Sequence, residues 1–248
     1  MDETYPTPPP LCGSDALLLD FDGTLVELAP RPDAIAVDPA LPGLLGALAA
    51  QLGGALAVIS GRPLAELQHW LGAELTLIGV HGAEANLPLP GAREIAPLPA
   101  AVGEALEPLC RRHPGVWLEP KRYALGVHYR ESPGAEEDVL QACATVAQDY
   151  GLERLCGKCI VELRHADIHK GAALQRLLQH PRYAGRRPLM LGDDRTDEDA
   201  FVAAQDAGGC GVKVGGGASQ ARCRLASVAD VHAWLRAQAE QLDAGESP

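Results

Sequence analysis

Short apolar runs that stop at polar residues alternate along the chain with segments of helical periodicity. The apolar runs end at Asp20, at Ser60, just before His81, just before Asp193 and at Val214. Uninterrupted apolar runs of about four to eight residues are typical of strands buried on both faces, so we predict a parallel sheet. Helices are predicted between them over Leu41–Leu52, Pro63–Leu71, Gly171–Gln179, Asp197–Ala207 and Val231–Leu242. The alternation indicates an α/β fold with a Rossmann-like, doubly wound core.

Residues 93–168 depart from this alternation. Their pattern predicts a helix, strands at 117–120 and 123–130, a helix over Pro133–Tyr150 and a strand at 159–164. Because such strands pair antiparallel, we predict an α+β cap domain at 93–168, inserted into a discontinuous core of 11–92 and 169–244. The proline-rich residues 1–10 are expected to form an unstructured leader.

Charge and composition exclude several classes of partner. The formal net charge of −12 opposes binding to nucleic acid or anionic lipid. No apolar run approaches the roughly 20 residues that span a bilayer, and the N-terminus lacks a signal-peptide pattern. We therefore expect a cytoplasmic protein without nucleic-acid or membrane partners. Its seven cysteines should be thiols, and we interpret the CxxC of Cys156 and Cys159 as strand residues in preference to a zinc or redox site.

The string DFDGTL places Asp20 and Asp22 at the end of the first predicted strand, with Gly23 permitting a tight turn after them. Two carboxylates so close together are costly unless a cation or a substrate needs them. The alternative is a polar turn that caps the strand, and the length of the whole string argues against it.

A second acidic string, GDDRTDEDAF at residues 192–201, follows another apolar run and opens a helix. Acidic residues in a first helical turn are ordinary caps and dipole partners, which accounts for Asp197 and Asp199 without any function. Asp193 and Asp194 precede that turn and are not explained in this way. The crowding of carboxylates indicates a cation site.

Three further residues carry weaker signals. Ser60 and Gly61 offer a hydroxyl and a backbone N–H to a phosphate oxygen, although Ser-Gly turns are common. Lys170 starts a predicted helix, where the dipole disfavours an ammonium. A lysine that serves a phosphate and an aspartate cluster would explain that position, and a solvated surface lysine is the alternative.

The order of these motifs resembles a known superfamily. DFDGTL, SGR at 60–62, KG at 170–171 and GDDxTDExAF resemble the four motifs of the haloacid dehalogenase superfamily. HGAE at 81–84, EPKRYALGVHYR at 119–130 and GKCIVELR at 157–164 resemble the trehalose-6-phosphate phosphatases within it. The resemblance implies a magnesium-dependent phosphatase that hydrolyses trehalose 6-phosphate to trehalose and phosphate, the last step of trehalose biosynthesis. It also implies a cap that sets substrate choice.

The resemblance assigns roles to the catalytic residues. Asp20 is the implied nucleophile that forms an aspartyl phosphate, and Asp22 is the implied general acid and base. Lys170 and Ser60 would assist at the phosphoryl group. Mg²⁺ would be held by Asp20, the carbonyl of Asp22 and Asp193.

The resemblance also implies residues around the metal and the substrate. Around the metal site, Asp194 and Asp197 would hold the ligands in place. The residues implied to bind substrate are Gly61, Arg62, His81, Glu119, Lys121, His128 and Glu162. The alternative for the three charged cap residues is ordinary charges on a strand surface, and that for the two histidines is structural hydrogen bonding.

Other functions remain open at this point. The same core could serve another sugar phosphate, such as sucrose 6-phosphate or a mannosyl phosphate. A phosphoacceptor signalling domain also combines paired aspartates with lysine and Mg²⁺, but it lacks a cap and the GDD motif. A catalytically dead sugar-phosphate sensor is a further alternative. The expected partners are a sugar phosphate and an upstream trehalose-phosphate synthase; a monomer is favoured, although the sequence leaves the oligomeric state open.

Overall fold

A computed structural model describes residues 5–29, 35–91, 96–157 and 159–245. The chain divides into two compact units, Met1–Ala92 with His169–Pro248, and Arg93–Ile168. Each unit has its own sheet and its own hydrophobic core. The start of the predicted cap falls among residues 92–95, which lie outside the described residues.

The elements are as follows in chain order. The strands are β1 Asp15–Leu19, β2 Leu56–Ile59, β3 Thr76–Gly79, β4 Glu84–Ala85, β5 Trp117–Pro120, β6 Ala124–His128, β7 Leu152–Gly157, β8 Ile160–His165, β9 Arg187–Gly192, β10 Cys210–Val214 and β11 Cys223–Leu225. The helices are α1 Leu41–Gln51, α2 Leu64–Leu71, α3 Ala100–Arg112, α4 Glu136–Tyr150, α5 Lys170–Leu177, α6 Glu198–Asp206 and α7 Val228–Asp243.

The first unit contains a seven-stranded sheet in the order β11-β10-β9-β1-β2-β3-β4. All of its pairs are parallel except β3 with β4. Every residue of β1, β2 and β3 is buried, as expected for strands covered on both faces. The predicted α/β core is confirmed. The edge strands β4 and β11 were not predicted, because two or three residues carry no periodic signal.

The helices of this unit begin close to their predicted positions. The largest difference is α7, which begins at Val228 and therefore three residues before the predicted Val231. Ser227 explains the earlier start, since its hydroxyl accepts a hydrogen bond from the Asp230 backbone N–H at 3.2 Å. α1 packs against α7, and α5 packs against α6.

The second unit contains a four-stranded antiparallel sheet in the order β5-β6-β8-β7. Leu125, Val127 and Val161 belong to a core shared with α3 and α4. Residues between them, such as Gly126 and Glu162, therefore point to the opposite face. β7 was not predicted, because most of its residues are polar or exposed. The predicted helix at Pro133 starts with a 3₁₀ turn, and α4 proper begins at Glu136.

Residues 5–10 contact the first unit, so the expectation of an unstructured leader is wrong for them. The Arg224 backbone N–H donates to the Pro6 carbonyl at 3.0 Å, and the Arg224 guanidinium lies 4.1 Å from the centroid of the Tyr5 ring. Residues 1–4 lie outside the described residues.

Two sequence expectations concern composition. All seven cysteines are thiols, with Cys156 exposed and Cys159 half-buried beside the β7–β8 turn. Within the described ranges, the potential metal-ligand cluster contains aspartates and no cysteine. The same ranges contain no helix with the length and apolar character that a bilayer crossing demands.

Candidate active site

Three predicted site segments meet at one edge of the first sheet. Asp20 follows β1, Ser60 follows β2 and Asp193 follows β9, and these three strands are neighbours in the order β9-β1-β2. Carboxyl ends of parallel strands lie at the same edge, which is where ligands bind in open α/β sheets. The fold thus brings together residues that are far apart in the sequence.

Lys170 is a buried cation within this edge. Its Nζ donates to Asp20 Oδ1 and to Asp197 Oδ1, both at 2.6 Å. α5 begins at Lys170, and the His169 side chain caps the helix by accepting from the Ala172 N–H at 3.3 Å. The solvated-surface interpretation of Lys170 is therefore wrong, since its side chain is 3% exposed and bridges two aspartates.

Asp197 organises the second acidic segment. Its Oδ1 accepts from Lys170, and its Oδ2 accepts from the backbone N–H groups of Asp193 and Asp194 at 3.1 Å each. Asp194 caps the following 3₁₀ turn, with Oδ1 accepting from the Thr196 N–H at 2.7 Å. Asp197 and Asp194 thus fix the backbone around Asp193. Capping accounts for Asp194 as well, which the sequence alone did not indicate.

The electrostatics of the site reflect an excess of negative charge. Burial raises the pKa of Asp20 to about 6, although Lys170 opposes this shift. Burial also raises the pKa of Asp193 to about 6, with repulsion from Asp194 and Asp197 adding to it. Burial alone would lower the pKa of Lys170, but the surrounding carboxylates outweigh it and raise that pKa. The buried carboxylates are not fully neutralised by the lysine.

The donor set of this cluster fits a divalent cation. One carboxylate oxygen from each of Asp20, Asp193 and Asp197 lies within 4.8 Å of the others. Hard carboxylate oxygens are the ligands that Mg²⁺ prefers. Gly23 has a φ of +79°, and a Cβ at this position would collide with the Asp193 carboxylate. A glycine at position 23 therefore lets Asp193 approach the turn that follows Asp20.

The side chain of Asp22 forms a bidentate ion pair with Arg62. Arg62 Nε lies 2.7 Å from Asp22 Oδ2, and Arg62 Nη2 lies 2.8 Å from Asp22 Oδ1. Arg62 Nη1 also donates to Glu66 at 3.0 Å. The hydrogen bond to Asp22 is the main cause of a raised pKa at Arg62. Sequence analysis did not predict this pair, because the two residues are separated by a helix and a strand.

The predicted phosphate-binding turn follows β2. The Ser60 hydroxyl accepts from the Arg62 backbone N–H at 3.1 Å, and the His81 N–H donates to the Ser60 carbonyl at 2.9 Å. The His81 imidazole lies so close to Gly61 that an added Cβ there would come within 2.8 Å of the ring. Ser60, Gly61 and His81 are therefore neighbours.

The predicted cap residues form a second cluster in the second unit. The cluster lies on the face of the four-stranded sheet that is opposite α3 and α4. Lys121 Nζ lies 2.8 Å from Glu162 Oε2 and 3.7 Å from Glu119 Oε2. His128 Nε2 lies 2.9 Å from the same Glu119 oxygen. Burial would lower the pKa of Lys121, but Glu162 and Glu119 outweigh it and raise that pKa. These residues thus contact one another and are not isolated strand charges.

Comparisons with known proteins identify the family. The family profile described as trehalose-phosphatase matches residues 18–229. The chain is 38% identical over 241 residues to trehalose-6-phosphate phosphatase of Escherichia coli (strain K12), covering 95% of this chain and 90% of that one. The chain belongs to the trehalose-phosphatase family.

Solved structures of related phosphatases agree with this membership. The trehalose-6-phosphate phosphatase of Aspergillus fumigatus, in its crystal form 2, is 30% identical with a TM-score of 0.68, covering 92% of this chain and 93% of that one. A phosphatase of the HAD superfamily from Bacteroides thetaiotaomicron shares the fold at 17% identity, with a TM-score of 0.62 and coverage of 92% and 95%. The family indicated by the motifs is confirmed.

One buried cation near the site was not predicted from the sequence. Lys213 is buried in β10, and its Nζ donates to the Asp193 carbonyl and, at 2.6 Å, to the Val214 carbonyl. It is a charged residue within the apolar string GVKV, which was interpreted only as a strand. A lysine inside an otherwise buried strand was the available signal, because such a charge is rarely buried without a partner.

Proposed function

We propose that this protein hydrolyses trehalose 6-phosphate to trehalose and phosphate, the last step of trehalose biosynthesis. The observation that carries the proposal is the buried Lys170, which bridges Asp20 and Asp197 beside Asp193 at the carboxyl edge of the sheet. The substrate follows from family membership and from the name of the Escherichia coli relative. The proposal includes a cytoplasmic monomer that takes its substrate from a trehalose-phosphate synthase.

The proposed cofactor is Mg²⁺, held by the side chains of Asp20 and Asp193 and by the Asp22 carbonyl. Asp197 is not assigned as a ligand, because its oxygens already accept hydrogen bonds from Lys170 and the backbone. When bound, the cation offsets the repulsion between a carboxylate and a phosphate. Two unit charges of the same sign about 4 Å apart repel each other by about 4 kcal/mol at an effective dielectric constant near 20. A barrier raised by about this amount lowers the rate about a thousandfold.

The covalent chemistry is assigned to Asp20 and Asp22. The Asp20 carboxylate attacks phosphorus, the bond from phosphorus to the sugar oxygen breaks, and Asp22 donates a proton to that oxygen. Asp22 then takes a proton from water, which attacks phosphorus and releases Asp20. Both carboxylate oxygens of Asp22 accept from Arg62 in the structure, so this ion pair must open before Asp22 can reach the sugar oxygen.

The remaining residues of the first unit are assigned to the phosphoryl group. Lys170 supplies positive charge, and the Ser60 hydroxyl and the Gly61 N–H donate to phosphoryl oxygens. Arg62 and His81 are assigned to the substrate side of the same turn. Their proximity to Ser60 and Gly61 supports this assignment.

The sugar is a neutral polyol. Its recognition therefore requires hydrogen-bond donors and acceptors and does not require a charge of one sign. We assign this role to the cap cluster of Glu119, Lys121, His128 and Glu162. Support comes from their mutual contacts on the face of the cap sheet that does not pack on helices. Hydroxyl groups of a sugar can replace such exposed contacts at small cost.

The test is phosphate release from a panel of trehalose, sucrose, glucose and mannose 6-phosphates at fixed Mg²⁺, with and without a chelator. We expect the highest kcat/KM with trehalose 6-phosphate and loss of release in the chelator. Preference for another sugar would overturn the substrate while leaving the Asp20 chemistry in place. No release from any phosphate ester would instead favour a sensor.

A further inference from the structure

Trp117 is a large apolar side chain left in contact with solvent. It opens β5 and remains 48% exposed, and the other large exposed apolar residues within the described ranges are Leu28 and Tyr150. An exposed indole loses the stabilisation that its burial would bring, of order 2–3 kcal/mol for a large side chain. Because Trp117 lies next to the cap cluster of Glu119, Lys121, His128 and Glu162, its exposed surface is a candidate for ligand binding.

The indole is held in one orientation by its neighbours. Its ring stacks on the imidazole of His128, with centroids 3.9 Å apart and an interplanar angle of 3°. The imidazole is in turn held by Glu119 at 2.9 Å. Gly126 leaves room for this arrangement, because a Cβ there would lie 3.1 Å from Glu119 Oε2 and 3.2 Å from His128 Nε2. One face of the indole is thus covered by the His128 imidazole, while the residue as a whole remains 48% exposed.

The strand register makes the indole continuous with the polar cluster. Trp117 pairs with His128 across β5 and β6, and Glu119 pairs with Gly126, which in turn pairs with Glu162 in β8. Residues two apart on a strand share a face, so Trp117, Glu119, His128 and Glu162 lie on the same side of the sheet. That side combines the flat apolar indole ring of Trp117 with carboxylates and the ammonium of Lys121.

This combination matches the chemistry of a pyranose ring. A pyranose presents C–H groups on its faces and hydroxyls around its rim, so an aromatic plane can pack on the face while charged groups bind the rim. We infer that Trp117 determines specificity by stacking on a pyranose ring of the substrate. The inference rests on the proposed function and adds to it a residue that the motifs did not indicate.

The test compares Trp117→Ala and Trp117→Phe with wild type, using Tyr150→Ala as the matched control. Tyr150 is an exposed aromatic residue of the cap that ends α4, on the other side of the sheet. Trp117→Ala should raise KM for trehalose 6-phosphate about tenfold, equivalent to about 1.4 kcal/mol, with kcat within about twofold. Trp117→Phe should recover most of that loss, and Tyr150→Ala should leave KM unchanged. Turnover of p-nitrophenyl phosphate, which has no pyranose ring, should be the same in all four proteins.

A second readout does not require turnover. Titration with trehalose should change the tryptophan emission of the wild-type protein, and Trp117→Phe should abolish the change while Trp70 and Trp234 still emit. Unaltered KM in Trp117→Ala, or equal losses with p-nitrophenyl phosphate, would overturn the inference and leave the proposed function intact. If the wild-type protein prefers another sugar phosphate, the proposed substrate fails, and the same variants decide the stacking role on that sugar.

Discussion

The two units each hold a lysine between two carboxylates, yet the clusters differ in their exposure to water. In the first unit, the side chains of Lys170, Asp20 and Asp197 are at most 4% exposed. In the cap, Lys121 and Glu119 are about ten times more exposed, at 39% and 42%, and Glu162 is 13% exposed. Charges interact far more strongly when water is excluded. The same residue types therefore interact strongly in the first unit and more weakly in the cap.

This difference suggests a division of labour. A buried cluster keeps fixed charges in place for bond breaking, where reorganisation would add to the barrier. An exposed cluster exchanges partners at small cost, which suits the binding and release of a neutral sugar. The predictions below test this contrast, from the largest expected effect to the smallest.

Replacing the proposed nucleophile should have the largest effect. Asp20→Asn should lower kcat by at least about 10⁴-fold, because an amide does not form the acyl phosphate. Phosphate release measures the loss, and Asp206→Asn, at the exposed end of α6, is the control for substitution of an aspartate. A variant that retained near-normal turnover would refute the assignment of Asp20.

Removal of divalent cations should have the second-largest effect on turnover. Chelation should lower turnover about a thousandfold, since the carboxylates around Asp20 repel the phosphate. Addition of Mg²⁺ beyond the chelator should restore the rate. Full activity in the chelator would contradict the proposal that Asp20, Asp193 and the Asp22 carbonyl hold a cation needed for turnover.

Stability should distinguish the two lysines directly. Lys170→Met leaves buried carboxylates without their partner and should lower the free energy of unfolding by about 3–5 kcal/mol. Lys121→Met removes exposed ion pairs and should cost less than about 1 kcal/mol. Urea unfolding without metal measures both changes. Equal losses for the two variants would contradict the contrast between the clusters.

The cap carboxylates should affect substrate choice and little else. Glu119→Gln and Glu162→Gln should lower kcat/KM for trehalose 6-phosphate by about tenfold to a hundredfold, the size of one or two lost charged hydrogen bonds. p-Nitrophenyl phosphate should be hydrolysed normally. The control is Glu107→Gln, which removes an exposed ion pair on α3, with Arg111 at 3.1 Å. Similar losses with both substrates would argue against a sugar-binding role.

The smallest expected effect is a pH dependence of metal binding. Burial, followed by repulsion from Asp194 and Asp197, raises the pKa of Asp193 to about 6. A raised pKa means that the proton is held to higher pH, and the ionised form is the ligand. The increase in melting temperature caused by Mg²⁺ should therefore grow from pH 5 to pH 7 and then level off. An increase that was constant over this range would contradict the raised pKa.

Local patterns in the sequence predicted the α/β fold class and most of the buried strands. β1, β2, β3 and β9 were predicted because each contains an uninterrupted apolar run, which a few adjacent residues are enough to define. The same holds for the acidic strings, which stand at the ends of β1 and β9. β7 and β11 were missed because an exposed or very short edge strand has no apolar periodicity to detect.

Pairings between distant segments were decided only by the tertiary structure. Lys170 and Asp20 are separated by 150 positions, and the sequence left open whether Lys170 was buried or solvated. The bidentate pair of Arg62 with Asp22 and the stack of Trp117 on His128 were likewise not predicted from the sequence. The sequence alone determined which residues could carry charge or an aromatic ring. Burial and contact depend on chain segments brought together from elsewhere, so only the folded protein decided how strongly those groups interact.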